Sequence, residues 1–176
     1  MPLPDPARIY HFTHVDHLET IVREGVVADY VPFYFAPRSP MMFSIHCGNV
    51  PTYQGGCEDL IYLVSSVQRI AELRLRFACT DRNAALDYAE FSSDEDGLGA
   101  LVDWQLMKAR MWANTEEDPD RRERRMAECL VHATAPWTAI LAVVAKSPEV
   151  AARAQSTLDR LGAAPMRVSV RPEMYF

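Results

Sequence analysis

The stretch at residues 30–42, YVPFYFAPRSPMM, constrains this chain more than any other, because Pro32, Pro37 and Pro40 interrupt an aromatic, β-prone run. Proline fixes φ and lacks the N–H that a sheet ladder needs. The block is therefore expected to give a short strand at 33–35 and then a loop. Ser39-Pro40 has the residue types of a helix N-cap and first helical position, so a short helix should follow through Met41, Met42, Ile45 and His46 and stop near Gly48-Asn49. That leaves Arg38 one residue ahead of a helix N-terminus, where a guanidinium beside free backbone N–H groups is a candidate anion cradle.

A second constraint lies at residues 121–132, RRERRMAECLVH, where a basic run turns into an apolar strand with one carboxylate, Glu128, at the junction. An acid entering a buried strand must be paired, have its pKa moved, or take part in chemistry. The residues alone leave two readings open. Glu128 is a strand-end glutamate neutralised by Arg121, Arg122, Arg124 or Arg125, or it is a carboxylate at the mouth of a cleft that stabilises developing positive charge or acts as a base.

Elsewhere the pattern alternates between elements. Residues 9–13 alternate apolar and polar and read as a strand; His11 and Thr13, two apart, share one of its faces and either cap the next helix or present a hydrogen-bonding pair to a ligand. Leu18, Ile21 and Val22 predict a helix over about 14–24, ended by Gly25. His14 and His17 are placed on it as surface or packing residues. Residues 60–65 read as a buried strand, 67–73 as a short helix and 76–79 as a strand. Thr80 and Asp81 should cap a helical turn through Tyr88, and Leu98 to Met107 a helix that runs on to Trp112. Cys129 to His132 and 139–145 read as strands, 147–161 as a helix ended by Gly162, and 167–170 as a strand near an edge. Strands and helices interleave but strands also adjoin, which predicts an α+β fold. Residues 1–8, with three prolines, are expected to be a flexible arm ahead of a single domain at 9–176.

Composition removes several functions. No apolar run reaches membrane-spanning length, and the four cysteines show no CxxC pair, which argues against a zinc site and for a reducing, cytoplasmic setting. Neither GxGxxG, GxxxxGK[ST] nor GxSxG is present, so the common nucleotide-binding loops and the hydrolase elbow are not supported. A net charge of −6 does not suit a protein that coats nucleic acid, although brief local contact is compatible with it.

Three blocks together, YHFTH at 10–14, the proline-rich block at 30–42 and RRMAECLVH at 124–132, with IYLVSS at 61–66 and PW at 136–137, resemble the DarT family of DNA ADP-ribosyltransferase toxins. The resemblance implies a split, mostly antiparallel sheet with flanking helices and an NAD cleft between its halves. It also implies transfer of ADP-ribose from NAD to a base, commonly thymine, in single-stranded DNA, without a metal, and a DarG-type macrodomain antitoxin as partner. Carried over by position, Glu128 and Arg38 become the catalytic residues, and His11, Thr13 and Arg38 hold NAD. Tyr53 stacks on nicotinamide or a base, Arg121 and Arg122 meet the DNA backbone, and the loop at 112–120 shapes the acceptor site. Two departures stand out: only residues 26–29 occupy the interval where family members carry a longer NAD-covering segment, and Cys129 replaces an expected aromatic. The competing expectations are an RNA or protein acceptor, or a shortened non-catalytic binding domain.

Overall fold

The computed structural model describes residues 3–163 and 165–176, apart from the side chains of residues 95 and 96. Eight strands form one sheet: β1 (Arg8–His14), β2 (Val26–Tyr34), β3 (Leu60–Ser66), β4 (Phe77–Thr80), β5 (Phe91–Ser92), β6 (Glu128–Ala135), β7 (Ala142–Ala145) and β8 (Val168–Val170). Their spatial order is β5-β4-β6-β2-β1-β3-β7-β8. Every pairing is antiparallel except β7 with β8.

The sheet is split at its middle. β2 pairs with β6 from Val26 to Tyr34, and β1 pairs with β3 along its whole length, whereas β1 and β2 share the single register pair Tyr10↔Tyr34. From that apex the two halves diverge towards His14 and Val26. Pro32 gives the physical reason. Its carbonyl points towards β1, where it accepts a 2.8 Å bond from His11 Nδ1. The position of its missing N–H therefore also faces β1, where no ladder forms. The proline that was expected to limit the strand to 33–35 is thus accommodated inside a nine-residue one, on the side that has no partner.

Alternation along the strands divides the sheet's side chains between two faces. Ile9, Val31, Phe33, Ile61, Leu63, Cys79, Cys129, Val131 and Val143 face the larger core. That core is closed by α1 (Leu18–Glu24), α3 (Val67–Glu72), α4 (Glu95–Leu101), α5 (Trp104–Lys108) and α7 (Pro148–Arg160). Tyr10, Phe12, Tyr62, Val64 and Val144 face a smaller cluster with α2 (Pro40–His46) and the segment through Tyr175.

Several elements differ from the sequence reading. A 3-10 turn at Val15–His17 precedes α1, so His14 ends β1 instead of opening a helix. The expected helix from Leu98 to Trp112 is two helices, because Asp103 caps α5 by accepting a 3.0 Å bond from the Leu106 N–H. Residues 81–90 form turns and not a helix, β5 follows them, and β7 begins at Ala142 after a 3-10 turn at Trp137–Ala139. Of the expected flexible arm, residues 1 and 2 lie outside the described residues. The remainder is docked: Ala7 is fully buried and donates to Gln68 Oε1 (3.0 Å), while Gln68 Nε2 donates to the Pro4 carbonyl (3.3 Å).

Candidate active site

Glu128 opens β6 opposite Tyr34, at the apex of the split. It is only 6% exposed and, among the described residues, has no ion-pair partner. Its Oε2 accepts the Ala84 backbone N–H at 3.1 Å, and its own N–H donates to Thr80 Oγ1 at 3.0 Å. Burial raises its pKa, and the Ala84 bond opposes this in part. The salt-bridged reading of Glu128 therefore does not hold.

The neighbouring arginines are occupied elsewhere, which explains the absence of a partner. Arg121–Arg124 is a short helix, α6. Arg124 pairs with Asp103, Asp118 and Asp120. Arg125 is buried and donates to the carbonyls of Leu106, Ala109 and Pro37. Arg121 is tied to Asp118 (3.4 Å) and to the Met111 carbonyl (3.0 Å). The Arg122 side chain is exposed, and only its backbone N–H is engaged, by Asn114 Oδ1 at 2.8 Å. Of the two arginines expected to meet DNA, Arg121 is thus a strut of the 112–120 loop and Arg122 faces outward.

Arg38 lies on the same face of the sheet as Glu128. Its N–H donates to Tyr62 Oη at 3.1 Å, its guanidinium donates to the Tyr175 carbonyl, and its Cζ lies 4.0 Å from the centre of the Phe176 ring. Its φ of 55° is in the left-handed region, a conformation that a non-glycine residue holds only when its surroundings over-determine it. Nε is buried without a protein partner. The helix it precedes forms as expected, with Ser39 Oγ accepting the Met42 N–H at 3.2 Å. Beside Arg38 a cavity of about 260 Å³ is lined by Phe43, Arg110, Met111, Trp112, Ala113 and Phe176.

His11 and Thr13 are not beside these two residues. Their side chains point to the opposite face, where they line a 290 Å³ recess with His17, Thr20, Val26 and Val27 at the open end of the split. Burial lowers the pKa of His11, opposed in part by the bond that Nδ1–H donates to the Pro32 carbonyl across the gap. On the face of Glu128, β1 instead presents Phe12, stacked on Tyr34 at 6.0 Å, and Tyr10, paired with Tyr34. The sequence reading missed these aromatics, and also Thr80 and Ala84, which hold Glu128. A tyrosine inside the buried run 60–66 was the available hint for Tyr62, because a buried phenol needs a partner. Tyr53 packs over Gly55 and its ring lies 6.4 Å from that of His14, with its hydroxyl buried and unpaired. No group of histidines, cysteines and acids among the described residues could hold a metal, and no helix is long and apolar enough to cross a membrane.

The arrangement is a buried, unpaired carboxylate and a fixed guanidinium at the apex of a split sheet. Known proteins share the fold closely. The sequence profile of the family described as ssDNA thymidine ADP-ribosyltransferase, DarT, matches residues 23–176. A DNA ADP-ribosyl transferase of Thermus sp. (strain 2.9) is 34% identical over 209 residues, covering 98% of each chain. One of Mycobacterium tuberculosis is 31% identical over 205 residues, covering 96% of this chain and 88% of the relative. The structure of Thermus sp. 2.9 DarT in complex with NAD+ superposes with a TM-score of 0.91 at 34% identity, covering 98% of this chain and 99% of that one. The same protein in complex with ADP-ribosylated ssDNA also gives 0.91, at 32% identity, covering 100% of this chain and 99% of that one. Because 209 aligned positions exceed the 176 residues of this chain, at least 33 residues of the Thermus protein have no counterpart here. Gly25 alone joins α1 to β2, and residues 26–29 are strand. The chain belongs to the DarT family of ssDNA thymidine ADP-ribosyltransferases.

Proposed function

We propose that this chain is an NAD-dependent mono-ADP-ribosyltransferase that modifies thymine in single-stranded DNA. The observation that carries the proposal is Glu128: buried, without a cation, and held by the Ala84 N–H at the apex of the split. Burying a carboxylate without a cation is costly unless function compensates. Here the compensating charge is the one that develops on the ribose as nicotinamide leaves. The glycosidic bond breaks with its electron pair going to nicotinamide, a bond forms from ribose C1′ to a ring nitrogen of thymine, and Glu128 accepts that nitrogen's proton.

The remaining roles follow the geometry. NAD lies along the split, with Phe12 and Tyr34 as an apolar floor near Glu128 and with His11 and Thr13 at the open end. Tyr53, beside His14, borders the same end. Arg38 offers its guanidinium to the donor's pyrophosphate or to the acceptor base as it loses its proton. The acceptor strand reaches the apex past Trp112 and Phe43, whose rings can stack on bases, with Arg110 and Arg122 towards its phosphates. Arg121 shapes the 112–120 loop that the strand passes. Family membership supports a toxin role and a DarG-type macrodomain as the antagonist that binds it or reverses its product.

Incubation with NAD and thymine-containing single-stranded oligonucleotides should give an ADP-ribose mass adduct on DNA, absent with Glu128→Ala. An adduct that persists in the variant overturns the role of Glu128. A modification that appears on RNA or protein acceptors offered side by side, and not on DNA, overturns the acceptor.

A further inference from the structure

Arg38 is held from outside its own loop by a segment 130 residues or more away in sequence. The segment Pro172–Met174 is a 3-10 turn following β8, and it brings Tyr175 and Phe176 across the face of the sheet that carries Glu128. Tyr175 is 1% exposed; its hydroxyl donates to the Val144 carbonyl in β7 at 2.8 Å, and its ring lies 5.1 Å from that of Tyr62. So anchored, its own carbonyl accepts from the Arg38 guanidinium. Tyr62 completes the link, accepting the Arg38 N–H and donating to the Met174 carbonyl at 3.4 Å. Phe176 lays its ring against the guanidinium, backed by Phe43 at 5.1 Å.

Arg38 needs such a restraint for two reasons. Its backbone is left-handed, and a second guanidinium, Arg125, lies close enough that the charge of Arg38 adds to the burial that brings Arg125 down to about 10. A flexible arginine in that setting would swing away from its like-charged neighbour. Among the described residues, none of those that hold Arg38 is hydrogen-bonded to Glu128, whose partners are Ala84 and Thr80.

We propose that Tyr175 is a positioning residue for Arg38, and that the docked Tyr175–Phe176 segment, with Tyr62, preorganises the guanidinium for transfer. The proposal rests on Arg38 being part of the machinery. Preorganisation of this kind acts on the rate of the chemical step more than on the strength of donor binding.

The test is a double-mutant cycle on ADP-ribosylation of an oligonucleotide. Arg38→Ala should lower kcat strongly, and Tyr175→Ala should lower it by about tenfold or more while KM for NAD changes less than about threefold. The double variant should be no slower than Arg38→Ala alone, because Tyr175 acts on the rate only through the position of Arg38. Tyr175→Phe, which keeps the ring against Tyr62 but loses the hydroxyl bond to Val144, should recover only part of the rate. If Tyr175→Ala does not fold, as judged by circular dichroism, Tyr62→Phe takes its place in the cycle, since it removes only the hydroxyl that links Arg38 to Met174. Losses that multiply in the double variant, or a folded Tyr175→Ala with wild-type kcat, overturn the positioning role and leave Arg38's own role standing. An Arg38→Ala variant with wild-type kcat overturns both.

Discussion

At the residue scale, the environment of Glu128 sets two expectations. Its pKa is raised by burial, with the Ala84 bond pulling the other way. On the proposed mechanism transfer uses the carboxylate, so the acid limb of kcat/KM should lie above the ordinary glutamate range. A pH–rate profile that levels at the ordinary value would contradict this. A raised carboxylate also favours the folded protein fully below the unfolded-state pKa, and that contribution is lost as pH rises through the folded value. Glu128→Gln should therefore gain melting temperature over wild type at neutral pH, with the gain shrinking on acidification. Thr80→Val keeps the shape of Thr80 but leaves the buried Glu128 N–H unpaired; it should cost about 1–3 kcal/mol in denaturant unfolding and lower kcat as well. The placements of Glu128 and Arg38 were legible in the sequence, as an acid entering an apolar strand and an arginine before a Ser-Pro cap. Their supports were not: Ala84 acts through a backbone N–H 44 residues away, and no side-chain type announces such a donor.

At the element scale, serine-proline helix starts were read well, and the cap at Thr80 and Asp81 and the interruptions poorly. Ser39 and Ser147 each cap the helix that follows, whereas residues 81–90 form turns. Asp103, in contrast, breaks a continuous apolar periodicity, and periodicity alone does not show a break that keeps both halves on the core. The basic run misled for a related reason. A row of arginines looks like a phosphate-binding strip until the acids at 103, 118 and 120 fold onto it. Arg124→Ala should lower the melting temperature by removing the centre of that network, whereas Arg122→Ala should leave stability unchanged and weaken oligonucleotide binding; the reverse pattern would contradict the division made between them. Gly25 gives a sharper case. Its φ is +82°, and an added Cβ would lie 2.8 Å from the Ala135 carbonyl oxygen, so Gly25→Ala should destabilise the α1–β2 junction by more than about 1 kcal/mol.

At the scale of the whole molecule, the split sheet was inferred from family resemblance and could not be read from periodicity. Strand order depends on contacts far apart in sequence, and the position of the split depends on which side Pro32 turns. The net charge of −6 also matters at this scale, because the protein as a whole does not attract DNA over long range. Among the described residues near the acceptor side, Lys108, Arg110 and Arg122 are exposed and outside any ion pair. Three phosphate contacts on a single strand give a slope of about −2 in log K against log salt. A much steeper slope, measured by fluorescence anisotropy, would mean that the acid-bound arginines are released on binding.

The one-residue junction at Gly25 has a further consequence, for what the enzyme makes. At least 33 residues of the Thermus protein have no counterpart in this chain, and Gly25 alone joins α1 to β2, so on the proposed donor site that junction supplies no covering segment. Once the nicotinamide bond breaks, thymine and water compete for the same ribose carbon. With no covering segment at that junction, the proposed mechanism relies on the speed with which the base is presented. Free ADP-ribose should therefore form a larger fraction of its products than of the Thermus protein's, and that fraction should fall as oligonucleotide concentration rises.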